Sequence, residues 1–249
     1  MNKILQLKNL EVQIEGQKII KGLNLDLVEG SVNALMGPNG SGKSTLANAI
    51  SGHPAYTVSR GSIIYQGKNI AKWPADKRAK AGIFLAMQSP STVPGVTIID
   101  LLRAAVNARR PEGKKIHFLK MPQIVEDKMK LLELEKSFLE RSVNEGFSGG
   151  EKKRAEILQL AVLEPRLAVL DETDSGLDID ALRIVATGIN KIKKDKQTIL
   201  LITHYQRILE YIKPDFVHIM YQGRIIKSGD EQLATKLEKE GYDWIINKS

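Results

Sequence analysis

The chain reads as an α/β protein: a mostly parallel β-sheet flanked by helices, with an N-terminal antiparallel β subdomain and an inserted helical subdomain. That architecture follows from three features. Apolar residues alternate with polar ones near the N-terminus, at Leu10, Val12 and Ile14 and again at Leu23, Leu25 and Leu27. Short apolar runs recur later, from Ile83 to Met87, Leu167 to Leu170 and Ile199 to Ile202, with helix-like stretches between them. The segment from about 89 to about 163 places its apolar residues at helical spacings instead.

In order along the chain, the two alternating stretches have the period of half-exposed antiparallel strands. Ser31 to Met36 is a strand running into Gly37, and a helix from Lys43 to Ser51 follows, closed by Gly52 as its C-terminal cap. Ile63 to Gly67 is a short strand with a turn, and Ile83 to Met87 is another strand. After Gln88 the stretch SPSTVPGV, with two prolines and a glycine, breaks the pattern. A helix is predicted from Ile98 to Arg110, and Val125, Met129 and Leu132, spaced by four and three, predict a second. Strands return at Leu167 to Leu170, Ile199 to Ile202, and Val217, Ile219 and Tyr221. The echo between YQGKNI at Tyr65 and YQGRII at Tyr221 is a pair of hairpin-like turns, not a repeat of fixed period. Strands alternating with helices imply one α/β core with a mostly parallel sheet. One domain, 1–249, is therefore expected, in which 1–88 and 164–249 form the core with its β subdomain and 89–163 form the helical subdomain.

Composition bounds the function. The 249 residues are 42% hydrophobic and 27% charged, an ordinary globular balance that does not suggest disorder. There is no cysteine, which excludes disulfides, thiolate metal sites and cysteine nucleophiles. The longest uninterrupted apolar run, Ile83 to Met87, has five residues, whereas a spanning helix needs about 20. The opening MNKILQLKNLEVQIEG lacks a signal-type apolar core. A soluble, cytoplasmic protein with no direct membrane insertion is the expectation. Lys and Arg number 37 against 29 Asp and Glu, a net charge of +8 that raises the question of nucleic acid. The basic runs EKKR (151–154) and KIKKDK (191–196) fall on predicted helices without interleaved aromatics, so they read as solvated faces and no nucleic-acid partner is expected.

The chemistry-bearing residues begin with Gly37, Pro38, Asn39, Gly40, Ser41, Gly42, Lys43, Ser44 and Thr45, a glycine-rich loop between a strand and a helix. Glycines let backbone N–H groups curl around phosphates, and the helix presents its positive end there. Lys43 supplies a point charge and Ser44 a hydroxyl for Mg²⁺. Asp171 and Glu172 follow an apolar strand, where an acid can hold Mg²⁺ and the next can polarise an attacking water. Ser148 and Glu151 have capping-box spacing. Capping leaves Gly149 and Gly150 unexplained, because glycine in a helix costs about 0.5 to 1 kcal/mol against alanine; close approach of a phosphate accounts for them. Gln88, Asp178 in Ser175-Gly176-Leu177-Asp178, and His204 after the strand TILLIT complete the set.

Phosphate loop, glutamine, Ser-Gly-Gly, Asp-Glu, Ser-Gly-Leu-Asp and histidine, in that order, resemble the ATP-binding cassette (ABC) ATPases. The resemblance covers nearly the whole chain and implies the ABC ATPase fold, a phosphate-loop (RecA-like) NTPase core. Within the family the likeness is closest to the SufC type, the ATPase subunit of SUF iron-sulfur cluster assembly. It is carried by SVNEGFSGGEKKRAEILQLAVLEP (142–165), LDETDSGLDIDAL (170–182) and THYQRILEYIKPDFVHIMYQGRIIKSGD (203–230). The resemblance implies a Mg²⁺-dependent ATPase in which residues 37–45 bind ATP, with Lys43 on its phosphates. Ser44, Gln88 and Asp171 would serve the metal, Glu172 would orient or deprotonate water, and Gln88 and His204 would sense the γ-phosphate. Ser148, Gly149, Gly150 and Glu151 would close over ATP held by a second copy in a transient homodimer, with Asp178 at the seam. SufB- and SufD-like partners are implied. A membrane transporter's nucleotide-binding subunit is the alternative, and a DNA-associated ABC ATPase ranks below it. Two departures stand out. Many relatives have Gln where this chain has Glu151, and the adenine-stacking aromatic expected between Val12 and Gly16 is missing, which predicts weak base discrimination.

Overall fold

The computed structural model describes residues 2–203 and 207–246. Strands β1 (Lys3–Ile14) and β2 (Gln17–Val28) form a hairpin whose turn, Glu15 and Gly16, has φ of 50° and 81°. Positive φ at both turn residues matches the right-handed twist of the strands it joins. Strand β3 (Val32–Met36) leads into helix α1 (Lys43–Ser51), which ends on left-handed Gly52. Strand β4 (Tyr56–Tyr65) then returns to β1, and with β5 (Lys68–Asn69) it completes an antiparallel sheet of order β2-β1-β4-β5. It begins earlier than the strand expected at Ile63, because Tyr56 and Val58 pair with Ile14 and Val12 although much of this stretch faces solvent.

After α2 (Ala75–Lys80) comes β6 (Ile83–Ala86), and beyond Gln88 the chain forms β7 (Val93–Thr97), α3 (Ile98–Asn107), α4 (Met121–Leu131) and β8 (Ser142–Val143). The β7/β8 pair is absent from the sequence reading, since Val93, Pro94 and Gly95 are exposed and carry turn chemistry. Helix α3 stops short of the predicted Arg110. The Asn107 side chain accepts from the Ile116 N–H at 2.7 Å and donates to its carbonyl at 3.1 Å, turning the chain before Pro111.

The core sheet is built from β9 (Leu167–Asp171), β10 (Thr198–Ile202), β11 (Phe216–Tyr221) and β12 (Arg224–Gly229) together with β3 and β6. Its order is β12-β11-β3-β10-β9-β6, parallel except for β12. Around it lie α5 (Gly149–Leu163), α6 (Ile179–Ile192), α7 (Arg207–Tyr211), α8 (Glu231–Glu240) and α9 (Asp243–Ile246). The two-residue period of the central strands divides the interior in two. Ala34, Met36, Ala168, Leu170, Ile199 and Leu201 face the core shared with α3 to α6, whereas Leu35, Val169, Leu200 and Ile202 face the core shared with α1 and the antiparallel sheet.

The basic runs differ from expectation. Helix α6 ends at Ile192, so most of 191–196 is a turn; it packs so closely on Gly30 that a Cβ there would lie 2.2 Å from the Asp195 carbonyl oxygen. In the other run Lys153 is buried, not solvated, because it has an internal acidic partner, Glu156.

Candidate active site

The C-terminal ends of β3, β9 and β6 assemble the site. At the end of β3, a Cβ on Gly37 would lie 2.2 Å from the Met220 carbonyl oxygen, so only glycine lets the loop leave the sheet here. Gly40 and Gly42 have φ of 76° and 106°, and the loop crest at Asn39 and Gly40 is exposed. Gly42 is the N-cap of α1 and brings no capping side chain. The first turn is thus a backbone anion site of the kind that receives phosphates. Ser41 Oγ, buried beside it, has no hydrogen-bond partner. Lys43 is buried too, its Nζ donating to the Gly37 and Pro38 carbonyls at 2.8 and 3.1 Å, and burial pulls its pKa down. The ammonium is stored within the loop, at the place where phosphate charge would arrive.

One residue on, Ser44 Oγ donates to Asp171 Oδ1 at 3.2 Å. Asp171 closes β9, and burial raises its carboxyl to about 6; the Ser44 hydrogen bond opposes the shift and the neighbouring Glu172 charge adds to it. Glu172 has left-handed backbone, φ 48°, and its N–H donates to the Ile202 carbonyl at 2.9 Å. That turn carries its carboxylate toward Gln88, whose Nε2 donates to Glu172 Oε2 at 2.6 Å. Lys43, Ser44, Asp171, Glu172 and Gln88 therefore belong to one site.

No cluster of three or more His, Cys, Asp or Glu able to hold a metal occurs among the described residues. The Ser44/Asp171 pair is nevertheless a hard oxygen donor set at the mouth of an anion site. It fits Mg²⁺, which takes one or two protein oxygens and completes its octahedron with phosphate oxygens and water.

The Ser-Gly-Gly segment opens α5 with a complete capping box: the Glu151 N–H donates to Ser148 Oγ at 3.2 Å, and the Ser148 N–H donates to Glu151 Oε2 at 2.8 Å. Gly149 and Gly150 have ordinary helical backbone, and a Cβ on either would meet nothing nearer than 3.6 Å. Nothing inside the chain requires glycine at these positions. Among the described residues, the hydrogen bonds of Ser148 and Glu151 do not reach the phosphate loop. Asp178, exposed, caps α6 by accepting from the Ala181 N–H at 2.7 Å. His204 lies outside the described residues; its neighbour Thr203 is buried and donates to Asp174 Oδ2 at 2.7 Å.

The sequence reading missed a buried ion pair that fixes Gln88. Lys153 and Glu156 of α5 lie 3.3 Å apart, both almost fully buried. Lys153 Nζ donates to the carbonyls of Met87 and Gln88 at 2.7 and 3.2 Å, and Glu156 Oε1 accepts from the Met87 N–H at 2.8 Å. An acid and a base three apart, with Glu156 set among the buried apolar residues Ala155, Ile157, Leu158 and Leu160, were the available signal.

A model of the family described as "ABC transporter" matches residues 20–175. Vegetative protein 296 of Bacillus subtilis (strain 168) is 56% identical over 97% of this chain and 92% of its own length. The probable ATP-dependent transporter ycf16 of Guillardia theta is 55% identical over 99% and 98%. Among solved structures, the ADP conformation of MJ1267, an ATP-binding cassette of an ABC transporter, aligns with a TM-score of 0.79 at 23% identity, covering 99% of this chain and 98% of that one. The dimeric structure of MJ0796, a bacterial ABC transporter cassette, gives 0.79 at 20% identity, covering 91% and 98%. These two likenesses establish the cassette fold. Matched over most of its length by the family model and by relatives more than half identical, the chain belongs to the ABC transporter family and is an ATP-hydrolysing ABC-type ATPase.

Proposed function

We propose that this ATPase is SufC-like: it works as a transient, ATP-dependent head-to-tail homodimer whose closure and opening remodel SufB- and SufD-like partners during iron-sulfur cluster assembly. The observation that carries the dimer is the N-terminus of α5. Ser148 and Gly149 are exposed, and the two glycines answer to no neighbour of their own chain. Bare N–H groups at a helix start suit a phosphate supplied by a second copy, and the related cassette MJ0796 is dimeric. The SUF assignment is supported by the three long stretches 142–165, 170–182 and 203–230. It also agrees with the lack of cysteine, since a cluster would then be ligated by partners while this chain supplies motion.

In this reading residues 37–45 hold the triphosphate of ATP, with Lys43 turning from its two carbonyls to the phosphates. Ser44 and Asp171 hold Mg²⁺, which when bound neutralises phosphate charge. Glu172 orients the attacking water and accepts its proton, Gln88 fixes the Glu172 carboxylate, and His204 binds the γ-phosphate. Ser148, Gly149, Gly150 and Glu151 of the second copy close the site, with Asp178 at the seam. The γ-phosphate is the differential contact favouring the closed dimer, so its hydrolysis permits opening.

Affinity purification of the full chain from its host tests the assignment. A pair of SufB- and SufD-like proteins is the expected catch. Recovery of an integral membrane subunit would instead make the chain a transporter's nucleotide-binding subunit, the second reading, which the name of the ycf16 relative favours. No helix among the described residues is long and apolar enough to cross a membrane.

A further inference from the structure

Glu151 puts a carboxylate at the helix start that, in the reading above, must receive a partner's ATP phosphates. Left alone, this charge would oppose them. Arg141 answers it: its Nη1 donates to Glu151 Oε1 at 2.5 Å, while Glu151 Oε2 is taken by the Ser148 N–H at 2.8 Å. Both carboxylate oxygens are thereby turned inward to the chain's own donors. The guanidinium is held in place from its other side as well, 4.2 Å from the Phe147 ring centroid and 5.4 Å from that of Phe138, rings that pack tilted with their centroids 4.8 Å apart. A planar guanidinium can lie on a ring and bond a carboxylate at once, which an ammonium does less well. The backbone at Arg141 is anchored too, since its carbonyl accepts from the Ile98 N–H at 3.1 Å and its N–H donates to the Phe138 carbonyl at 3.3 Å. The Glu151 carboxyl is held below the usual carboxylate range, first by Arg141 and then by the Ser148 N–H, so it is ionised in this arrangement.

We propose that Arg141 is a positioning residue for ATP recognition: it neutralises and locks Glu151, so that the N–H groups at the start of α5 meet the partner's nucleotide without a repelling carboxylate. This inference rests on the head-to-tail reading. Arg141 need not touch ATP. Its role exists only because the residue after Ser148-Gly149-Gly150 is an acid.

A double-mutant cycle on the full-length protein tests it, with Arg141→Met, which keeps an apolar stem over Phe147, and Glu151→Gln. Arg141→Met alone is expected to raise the KM for ATP about 10-fold at low salt, with a smaller change in kcat. The penalty should shrink at about 0.5 M KCl, where exposed charges are screened. Made in the Glu151→Gln background, the same Arg141 change should alter KM less than about 3-fold. Equal penalties in both backgrounds would mean that Arg141 serves only to pack Phe138 and Phe147, and would overturn the proposal, as would no penalty in either. Should Arg141→Met alone fail to fold by thermal melting, the double variant is compared with Glu151→Gln: a folded double variant of similar KM upholds charge compensation, and a defective one ends it. Light scattering of Glu172→Gln with Mg-ATP separates the two levels. No dimer sinks the head-to-tail reading itself, whereas a dimer combined with an uncoupled cycle removes only the role given to Arg141.

Discussion

Gln88 Nε2 sits 2.6 Å from Glu172 Oε2, so a glutamine beyond β6 and an acid beyond β9 hold each other across the ends of adjacent parallel strands. A carboxylate only accepts, which fixes the amide nitrogen as the donor and leaves the acid with one aimed oxygen. The pair separates two roles that can be tested apart. Glu172→Gln should lower kcat by about 10²–10⁴, the usual contribution of a positioned base, while ATP still binds. Gln88→Ala removes only the aim and should lower kcat by roughly 10-fold. Phosphate release and nucleotide titration check both, and a Gln88→Ala protein with wild-type kcat would deny the contact any function.

Behind Gln88 stands the Lys153/Glu156 pair, which grips the backbone of Met87 and Gln88. Truncating one partner leaves the other charge buried and alone, so Lys153→Met should destabilise the fold by about 3–5 kcal/mol in urea titrations. Replacing both by apolar residues removes the buried charges, and much of the stability should return. Turnover should not, because the grip on Gln88 is gone. Recovery of stability and turnover together would show that the pair does not position Gln88.

Arg78 is the less expected buried cation. Its hydrogen bonds run to four backbone carbonyls: Ala49 at 2.6 Å, and Ile50, Ala71 and Trp73 at 2.9 Å. Two of these belong to the last turn of α1, the negative end of the helix into which the phosphate loop runs, where a cation is favourable. Arg78→Met strands buried acceptors and should cost about 2–4 kcal/mol. Arg78→Lys should restore only part, since one ammonium cannot span the four oxygens. A loss below about 0.5 kcal/mol, the size of an ordinary surface substitution, would contradict this.

The features legible in the sequence are those with a local cause. Strand alternation, the glycine loop, Gly52 at the end of α1 and the Ser148/Glu151 capping box each depend on residues a few positions apart, and the structure repeats them. The features that were not legible depend on residues far apart in the chain. Arg78 meets Ala49 and Ile50, Lys153 meets Met87, and Ser142 and Val143 pair with residues of β7, contacts that only the fold brings together. Arg141 and Glu151 are only ten apart, yet their pairing needs the chain to fold back over Phe138 and Phe147. Charge runs proved the least readable, because Lys153 is buried by the fold with Glu156 as partner and with the distant Met87 and Gln88 carbonyls as acceptors, while Lys152 beside it in the same run has no such partners among the described residues.

Two buried titratable groups set opposing pH trends. His218, bonded to Ser228 and Asn33, is lowered by burial from 6.5 to about 4. Between those values the unfolded chain binds the extra proton, so this histidine lowers stability as pH falls from 6.5 toward 4. Asp171 is raised by burial from 3.8 to about 6, so in its window the folded chain binds the extra proton and stability falls as pH rises. Each shift corresponds to about 3 kcal/mol at most, and between pH 4 and 6 the two nearly cancel. Asp171→Asn removes one arm. Its urea midpoint should match wild type near pH 4 and rise above it by pH 7, and an advantage equal at both pH values would refute the assignment. With Mg-ATP at pH 7 the order should reverse, because a ligand stabilises only the protein that binds it. A carboxylate that burdens the empty fold is then accounted for by the cation and triphosphate it helps to hold.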